Sequence, residues 1–125
     1  MSILVVGSIA LDTLETPFGK VQDVLGGSAS YFSLAASLFT DVKVVAVVGE
    51  DFPDEYIELF RSKGIELEGV KRASGETFRW HGRYGYDLGD PDTLGTFLNV
   101  FEKFDPIIPE NYRSEERRVG KECRL

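Results

Sequence analysis

The chain has 125 residues and a mass of 13.9 kDa, with 42% apolar and 28% charged residues, which is typical of one globular domain and excludes two full ones. No run of about 18 apolar residues is present, and residues 3–6 lack the flanks of a signal peptide, so the sequence predicts a cytoplasmic protein with no membrane partner. A net charge of −7 argues against a nucleic-acid partner.

The first third of the chain contains a strand, a hairpin and a helix. Residues 3–6 form an apolar run that ends at Gly7 and predicts a buried strand. Two β-forming pieces on either side of Pro17 predict a small hairpin over residues 13–24. A buried helix is predicted over about residues 28–38, with Ser28 as its N-cap and an apolar face at helical spacing formed by Ala29, Phe32, Ala36 and Phe39.

The middle of the chain predicts a parallel sheet. Residues 42–48 are rich in valine and predict a second strand, and residues 51–63 predict a helix with Pro53 near its first turn and Gly64 just past its end. Tyr56, Leu59 and Phe60 mark the apolar face of that helix. Because strand, helix and strand alternate, the sequence indicates an α/β fold.

Two further strands are predicted over residues 65–70 and 77–86. In the second, aromatic side chains alternate with Arg79, His81 and Arg83, which indicates a strand with one face in water. From Asp87 onward, glycine, proline and aspartate predict loops.

The last thirteen residues differ from the rest. Residues 1–112 carry 9 basic and 18 acidic side chains, whereas residues 113–125 carry 5 and 3. The string Arg-Ser-Glu-Glu-Arg-Arg-Val-Gly-Lys-Glu-Cys (residues 113–123) resembles the translated read-through of a common sequencing adapter; the alternative is a genuine basic tail. On the first interpretation Cys123, the single cysteine, carries no redox information, and residues 1–112 are the front part of a longer protein.

Several familiar sites are excluded by the sequence. The segment from Gly7 to Asp12 follows a strand but has one glycine, so it is not a dinucleotide fingerprint, and no Gly-Lys-Ser/Thr phosphate loop occurs. His81 is the single histidine, which excludes histidine-based metal clusters and most Ser-His-Asp arrangements. His81 fits a lid or surface residue better than a catalyst.

Two polar segments follow strands, where open α/β sheets bind their ligands. The carboxylate of Asp12 could accept hydrogen bonds from two vicinal hydroxyls of a sugar. Gly26 and Gly27, at the start of a helix, would let a ligand approach the backbone. Taken singly, each has an ordinary interpretation, Asp12 as a turn residue and the glycine pair as a tight connection.

Taken together, these segments resemble a known family. The order Val-Val-Gly-Ser-Ile-Ala-Leu-Asp (5–12), Gly-Gly-Ser-Ala-Ser-Tyr-Phe-Ser-Leu-Ala-Ala-Ser-Leu (26–38), Val-Val-Ala-Val-Val-Gly-Glu-Asp (44–51) and Gly-Ile (64–65) resembles the amino-terminal half of the ribokinase-like, or PfkB, carbohydrate and nucleoside kinases. The resemblance covers about residues 2–112. It implies a partial, truncated ribokinase-like three-layer fold with a parallel central sheet and a β lid, whose strands lie at about 13–24 and 75–86.

The resemblance also implies roles for particular residues. Asp12 matches the acceptor of sugar hydroxyls, and Gly26 and Gly27 match the paired glycines of the first signature. Gly49 and Asp51 match a Gly-x-Asp for which we expect a structural role. The residues of the predicted lid strand that could contact a ligand from above are Thr77, Phe78, Arg79, Trp80 and Tyr84.

Two positions depart from the family pattern. Tyr31 stands where the signature often has asparagine, and Ala10 replaces a polar residue frequent in ribokinases proper. Ribose is therefore an unfavoured substrate, and Tyr31 either contacts a different sugar or nucleoside or packs within its helix.

The catalytic part of the family pattern does not occur in this chain. No Gly-x-Gly-Asp, which supplies the catalytic base in the family, is present, and Leu88-Gly89-Asp90 is no substitute because Asp87 precedes it. The resemblance implies an ATP-dependent, Mg²⁺-requiring kinase of a sugar or nucleoside hydroxyl, but no catalytic residue and no metal site are assigned here. We expect the 125-residue chain to be inactive and to bind neither ATP nor Mg²⁺ by itself.

Two other classes of function stay open. One is a non-catalytic α/β module that binds a small molecule. The other is an interaction domain that uses residues 77–86 as an exposed edge and forms dimers. Because lid strands also pair between subunits in some members of the family, a homodimer through the lid strands is compatible with the kinase as well.

Overall fold

The computed structural model describes residues 2–112 and the backbone of a strand at 117–120. Residues 113–116 and 121–125, and with them Cys123 and most of the adapter-like string, lie outside the described residues, so the interpretation of that string stays a prediction. The elements are β1 (Ser2–Val6), β2 (Ala10–Thr16), β3 (Gly19–Gly26), α1 (Ser28–Ala36), β4 (Asp41–Val48), α2 (Asp54–Ser62), β5 (Glu66–Arg72), β6 (Phe78–Arg83), β7 (Asp92–Phe97) and β8 (Arg117–Gly120), with 3₁₀ turns at Asn99–Lys103 and Glu110–Tyr112.

A parallel sheet forms the centre of the molecule, in the strand order β5-β4-β1-β8. Alternate residues of β4 point to opposite faces of this sheet. On one face, Val44 and its neighbours pack with Ala29 of α1 and Phe60 of α2. On the other, Val45 and Leu4 pack with Tyr112. The parallel sheet and the α/β fold predicted from the strand–helix–strand order are confirmed.

A second sheet has the strand order β3-β2-β6-β7. We call it the lid sheet, or lid, because it contains the strands that the resemblance predicts as a lid; the lid role itself stays a prediction. The predicted hairpin exists as β2 and β3, which pair antiparallel, and β2 also pairs in parallel with β6. The hairpin is longer than predicted, so Asp12 lies inside a strand and not in the loop where we expected it. Strand β7 occupies residues predicted as loop, because pairing with β6 satisfies its backbone although Asp92 and Gly95 are poor strand formers.

Helix α1 differs from its prediction in its cap and in its buried face. The cap is Gly27 and not Ser28, which is the first helical residue, and the helix ends at Ala36. Its buried residues are Ala29, Ser30 and Ser33, whereas Phe39, assigned to the apolar face, is 88% exposed and Phe32 is also exposed. Small side chains occupy this face because α1 packs closely on β4 and β1.

Helix α2 follows its prediction more closely. It begins after Pro53, and Gly64 with φ of 73° lies just past its end. Phe60 is buried and Tyr56 is packed against the core as predicted, but Leu59 is exposed and Ile57 takes its place. No helix within the described residues is long and apolar enough to cross a membrane.

Candidate functional site

Asp12 occupies the centre of the candidate site. It lies on β2, and its carboxylate covers Gly26 on the neighbouring strand β3. A Cβ atom at position 26 would come closer than 3.0 Å to all three carboxyl atoms of Asp12, so the carboxylate can take this position only over a glycine. Burial raises the pKa of the Asp12 carboxyl above its usual value.

Gly27 and Ser8 join the lid to the start of α1. Gly27 has φ of 95°, and a Cβ there would clash with the carbonyl of Ser8. The N–H of Ser28 donates to Ser8 Oγ (3.1 Å) and the N–H of Ala29 donates to Ser8 O (2.9 Å). Both glycines therefore have structural reasons, and Ser8 accepts hydrogen bonds from the first two N–H groups of α1. Ligand contact by Gly26 and Gly27 stays a prediction.

Tyr31 lies at the rim of the site. Its side chain projects from α1, its hydroxyl donates to the carbonyl of Leu25 at the end of β3 (2.9 Å), and the residue is 58% exposed. Burial, and next the negative charge of Asp12, raise the pKa of the Tyr31 hydroxyl, which indicates that the two groups are close. Tyr31 therefore reaches across to the lid and does not pack within its helix.

The register of the lid sheet sorts its side chains onto two faces. Asp12 is paired with Trp80, and Leu11 with Arg79. Because successive residues of a strand point to opposite sides, Phe78 and Trp80 share the face of Asp12, and Arg79 lies on the opposite face. We call the surface formed by Asp12, Gly26, Phe78 and Trp80 the Asp12 face.

Two aromatic side chains flank Asp12 on this face. The six-membered ring of the Trp80 indole lies over Gly82, and its N–H donates to Thr93 Oγ1 (3.3 Å). The ring of Phe78 stacks on Phe101, with 5.2 Å between the centroids. The Asp12 face therefore combines one carboxylate with immobilised aromatic surface.

The opposite face of the lid carries a charged cluster around Glu15. Its carboxylate lies 3.1 Å from His81 Nε2, 3.2 Å from Arg83 Nε and 3.7 Å from Lys20 Nζ. The neighbouring side chains of His81 and Arg83 hold the pKa of Glu15 below its usual value. His81 thus lies on the face of this sheet opposite to Asp12.

Asp51 joins the lid to the central sheet. Its Oδ1 accepts hydrogen bonds from the N–H (2.8 Å) and the hydroxyl (2.7 Å) of Thr77, a fully buried residue directly before β6. The hydroxyl of Thr77 in turn accepts the N–H of Gly49 (2.9 Å). Gly49 and Asp51 therefore make the structural contacts expected of them, and the hydrogen-bonding groups of Thr77 face Asp51 and Gly49.

Arg79 bridges two carboxylates. Its Nη2 donates to Asp51 Oδ2 (2.7 Å) and its Nη1 donates to Asp23 Oδ1 on β3. Burial alone would raise the pKa of Asp51, but the hydrogen bonds from Thr77 and Arg79 outweigh it and hold the pKa below its usual value. We call Asp23, Asp51, Thr77 and Arg79 the clasp.

Residues 92–104 contribute to the site although the sequence predicted only a loop there. Thr93 bonds Trp80, Phe101 stacks on Phe78, and Asn99 Nδ2 donates to the carbonyl of Thr77 (3.0 Å). The signal that could have found the strand is the group of β-forming residues at Thr93, Thr96 and Phe97.

A cavity of about 630 Å³ lies away from the Asp12 face. Its lining includes Val45, Gly69, Lys71 and Phe104, and neither Asp12 nor Trp80 contributes to it. Its lining also carries charged and polar side chains, but it shares no residue with the Asp12 face and is therefore separate from the candidate site. Among the described residues, no group of three or more His, Cys, Asp or Glu could hold a metal ion.

Comparison with known proteins gives related kinases, although no protein-family model matches the chain. The chain is 31% identical over 114 residues to a cytidine kinase of Thermococcus kodakarensis, an alignment that covers 90% of this chain and 40% of the relative. The nucleoside kinase of Burkholderia thailandensis in complex with inosine gives a TM-score of 0.68 at 19% identity, covering 78% of this chain and 35% of that one. A ribokinase of Cryptococcus neoformans var. grubii in complex with ADP gives 0.67 at 19% identity, covering 78% and 34%.

The chain thus spans about two-fifths of the length of the curated relative, and the matches cover the amino-terminal part of these proteins. The likeness confirms the predicted ribokinase-like α/β fold with a parallel sheet.

The position of Asp12 over Gly26 leads to a first prediction. Gly26→Ala should displace the Asp12 carboxylate, because a Cβ at that position overlaps it. We expect nucleoside or sugar binding, measured by calorimetry, to fall by about tenfold or more, the loss expected for one charge-assisted hydrogen-bonding group. Gly85→Ala is the matched control, since its Cβ would make an ordinary contact of 3.4 Å with Asp87. Equal affinities of the two variants would contradict the assignment.

The lowered pKa of Asp51 leads to a second prediction. A carboxyl whose pKa is lower in the folded state stabilises the fold above its unfolded value, near 3.8, and loses that contribution as the pH falls through its folded value. Asp51→Asn should therefore lower the free energy of unfolding at pH 7 by about 1 kcal/mol, and the difference from the unmodified chain should shrink below pH 4. Urea denaturation at several pH values, followed by Trp80 fluorescence, measures this.

Asp54→Asn is the control for that experiment. The Asp54 carboxylate lies 3.6 Å from Arg72 but is 95% exposed, so its loss should change stability by less than about 0.5 kcal/mol at any pH. A difference for Asp51→Asn that does not vary with pH would refute the role given to its ionised form.

Proposed function

We propose that this chain, whose sequence and fold resemble the amino-terminal part of the ribokinase and PfkB kinases, forms the acceptor-binding and lid part of an ATP-dependent kinase that phosphorylates a nucleoside or sugar hydroxyl. The observation that carries the proposal is the carboxylate of Asp12, held over Gly26 and beside Trp80 where the lid meets α1. A single carboxylate has enough acceptor sites to take both hydrogen atoms of a vicinal diol, which fixes the orientation of the sugar ring.

A nucleoside is the substrate class that the aromatic surface favours. Stacking of a base on an aromatic side chain contributes about 1–3 kcal/mol, and Trp80 offers such a surface on the strand adjacent to Asp12. The relative from Thermococcus kodakarensis is a cytidine kinase, and the Burkholderia structure holds inosine. In this proposal Asp12 binds the ribose hydroxyls and Trp80 the base, and a free sugar is the alternative that the titration below tests.

The remaining predicted site residues divide by their surroundings. Phe78 lies on the Asp12 face, and Tyr84 affects the pKa of Tyr31, so we propose that Phe78, Tyr31 and Tyr84 line the acceptor pocket. Thr77 and Arg79 are engaged by Asp51, and we give them supporting roles.

The phosphoryl-transfer chemistry lies outside these residues. ATP with Mg²⁺ supplies the γ-phosphoryl group in the full-length kinase, where positioning and charge stabilisation carry such a reaction. The 125-residue chain contains no Gly-x-Gly-Asp and no Gly-Lys-Ser/Thr loop, and its described residues form no metal cluster. The described residues therefore fit acceptor binding, and we propose no contact between them and ATP or Mg²⁺.

The binding half of the proposal is tested by titration. Trp80 is the single tryptophan, so its fluorescence should report directly on ligands at the Asp12 face. We expect cytidine and inosine to quench it saturably, and ribose and fructose to do so only at much higher concentration. Asp12→Asn should weaken nucleoside binding by about ten- to a hundredfold, and Asp90→Asn, in an exposed loop, should not.

The pH dependence provides a further check on the same titration. As the pH is lowered, protonation of Asp12 should weaken nucleoside binding. Because burial raises the pKa of Asp12, this weakening should begin at a higher pH than it would for a carboxyl with the usual pKa of 3.8. If the chain bound a free sugar tightly and did not bind nucleosides, a sugar would replace the nucleoside as the proposed substrate. No binding of either would overturn the proposal.

The catalytic half makes a separate prediction. The 125-residue chain, given ATP, Mg²⁺ and each ligand, should transfer no phosphoryl group above background, because it lacks the Gly-x-Gly-Asp base. Transfer of radiolabelled γ-phosphate to any sugar or nucleoside would refute this. The coding sequence downstream of residue 112 distinguishes the kinase from a non-catalytic module. A kinase requires a Gly-x-Gly-Asp about 150 residues further on, a distance estimated from ordinary α/β domain sizes, whereas a non-catalytic module does not.

A further inference from the structure

The clasp lies on the face of the lid opposite to Asp12. Arg79 is the register partner of Leu11, and the residue next to it, Trp80, is the partner of Asp12. The guanidinium of Arg79 bonds one carboxylate from the lid edge, Asp23, and one from the segment after β4, Asp51. A single side chain therefore ties both sheets together behind the candidate site.

Asp23 belongs to an irregularity in the hairpin. The pairing of β2 with β3 shifts register between Asp12 and Leu14, and Asp23 has φ of 56°, as in a β-bulge. Two contacts hold this bulge from different elements. Its carboxylate binds Arg79, and its carbonyl accepts a hydrogen bond from the hydroxyl of Tyr56 on α2 (2.9 Å).

The bulge directly adjoins the acceptor residue. Asp23 precedes Val24, and Val24 is the register partner of Asp12. A β-bulge re-aims the strand on which it lies, so the position of β3 relative to α2 and to the segment after β4 sets where the Asp12 carboxylate and Gly26 lie relative to α1. Asp23 contributes two of the contacts that set this position.

We propose that Arg79 is a positioning residue for acceptor binding, which clamps Asp23 to Asp51 and thereby fixes the lid sheet, with Asp12 and Trp80, over the start of α1. Arg79 acts from behind the lid and does not contact the ligand. The proposal rests on the acceptor-binding function proposed above and adds to it a residue on the far side of the sheet.

The chemistry of arginine suits this role. Its planar guanidinium presents separate N–H groups to two carboxylates at once, whereas a lysine ammonium is a compact point charge on a flexible stem. The side chain of Arg79 is 29% exposed, so its pairs are only partly screened by water. Arg79→Lys should therefore fail to restore the clasp although it keeps the charge.

The test compares Arg79→Met, Arg79→Lys and Asp23→Asn in the 125-residue chain, with Arg61→Met as the control. Arg61 forms an exposed ion pair with Glu58 on α2 (3.0 Å) and lies outside the clasp. Nucleoside affinity is measured by Trp80 fluorescence. The three clasp variants should each bind about tenfold more weakly, and Arg61→Met should bind normally. Arg79→Met combined with Asp23→Asn should be no weaker than either change alone, because both break one contact.

A second measurement needs no ligand. Acrylamide quenching of Trp80 in the folded chain should increase in the clasp variants and stay unchanged in Arg61→Met, since a loosened lid exposes the indole. Simple destabilisation would lower the melting temperature without changing quenching well below it. If Arg79→Met does not fold, Arg79→Lys and Asp23→Asn carry both measurements.

The outcomes separate the two proposals. If the unmodified chain binds no nucleoside or sugar, the proposed function fails and acrylamide quenching alone decides on the clasp. Unchanged quenching in the clasp variants would then overturn the positioning role. If the unmodified chain binds, normal affinity of Asp23→Asn beside weak binding by Arg79→Met would indicate that Arg79 contacts the ligand directly and would overturn the proposal.

Discussion

The carboxylate of Asp51 connects the two sheets of this protein. Asp51 follows the last strand of the buried βαβ unit, and its Oδ1 receives both the N–H and the hydroxyl of Thr77, where the chain enters the lid. Thr77 is fully buried, so these bonds are poorly replaced by water. These bonds contribute to the direction in which β6 leaves the central sheet, together with the Arg79–Asp51 pair and the short connection between β1 and β2.

Side chains of β6 point alternately to the two faces of the lid sheet, so one face carries the candidate binding residues and the other carries the contacts that hold the sheet in place. Trp80 and Arg79 are neighbours in sequence, yet the first lies beside Asp12 and the second reaches back to Asp51. Because adjacent residues point to opposite faces, one short strand can present an aromatic surface on one side and an ion-paired anchor on the other. The same strand therefore supplies both the candidate site and the contacts that orient it.

The parts predicted correctly from sequence are those with strong local signals. Apolar periodicity and turn-forming residues act within a few positions of the chain. They therefore predicted the valine-rich strands, the hairpin around Pro17, and the ends of α2 at Pro53 and Gly64. Asp12 and Gly26 were identified as candidates from their positions after predicted strands and then from a resemblance, but the steric reason that joins them was not visible in the sequence. Strand β7 was missed because Asp92 and Gly95 have low strand propensity, and the strand forms through its backbone pairing with β6.

Local patterns in the sequence were enough to predict the α/β class, the order of the elements up to β6, and a carboxylate and a glycine pair near the start of α1. Three contacts are visible only in the folded protein: Ser8 accepts the first N–H groups of α1, the Asp12 carboxylate lies over Gly26, and Arg79 turns away from Asp12 toward two acidic partners. Each of these contacts joins residues that are far apart in the chain. They depend on the register within the lid sheet and on how the two sheets and α1 pack together, which no local periodicity encodes.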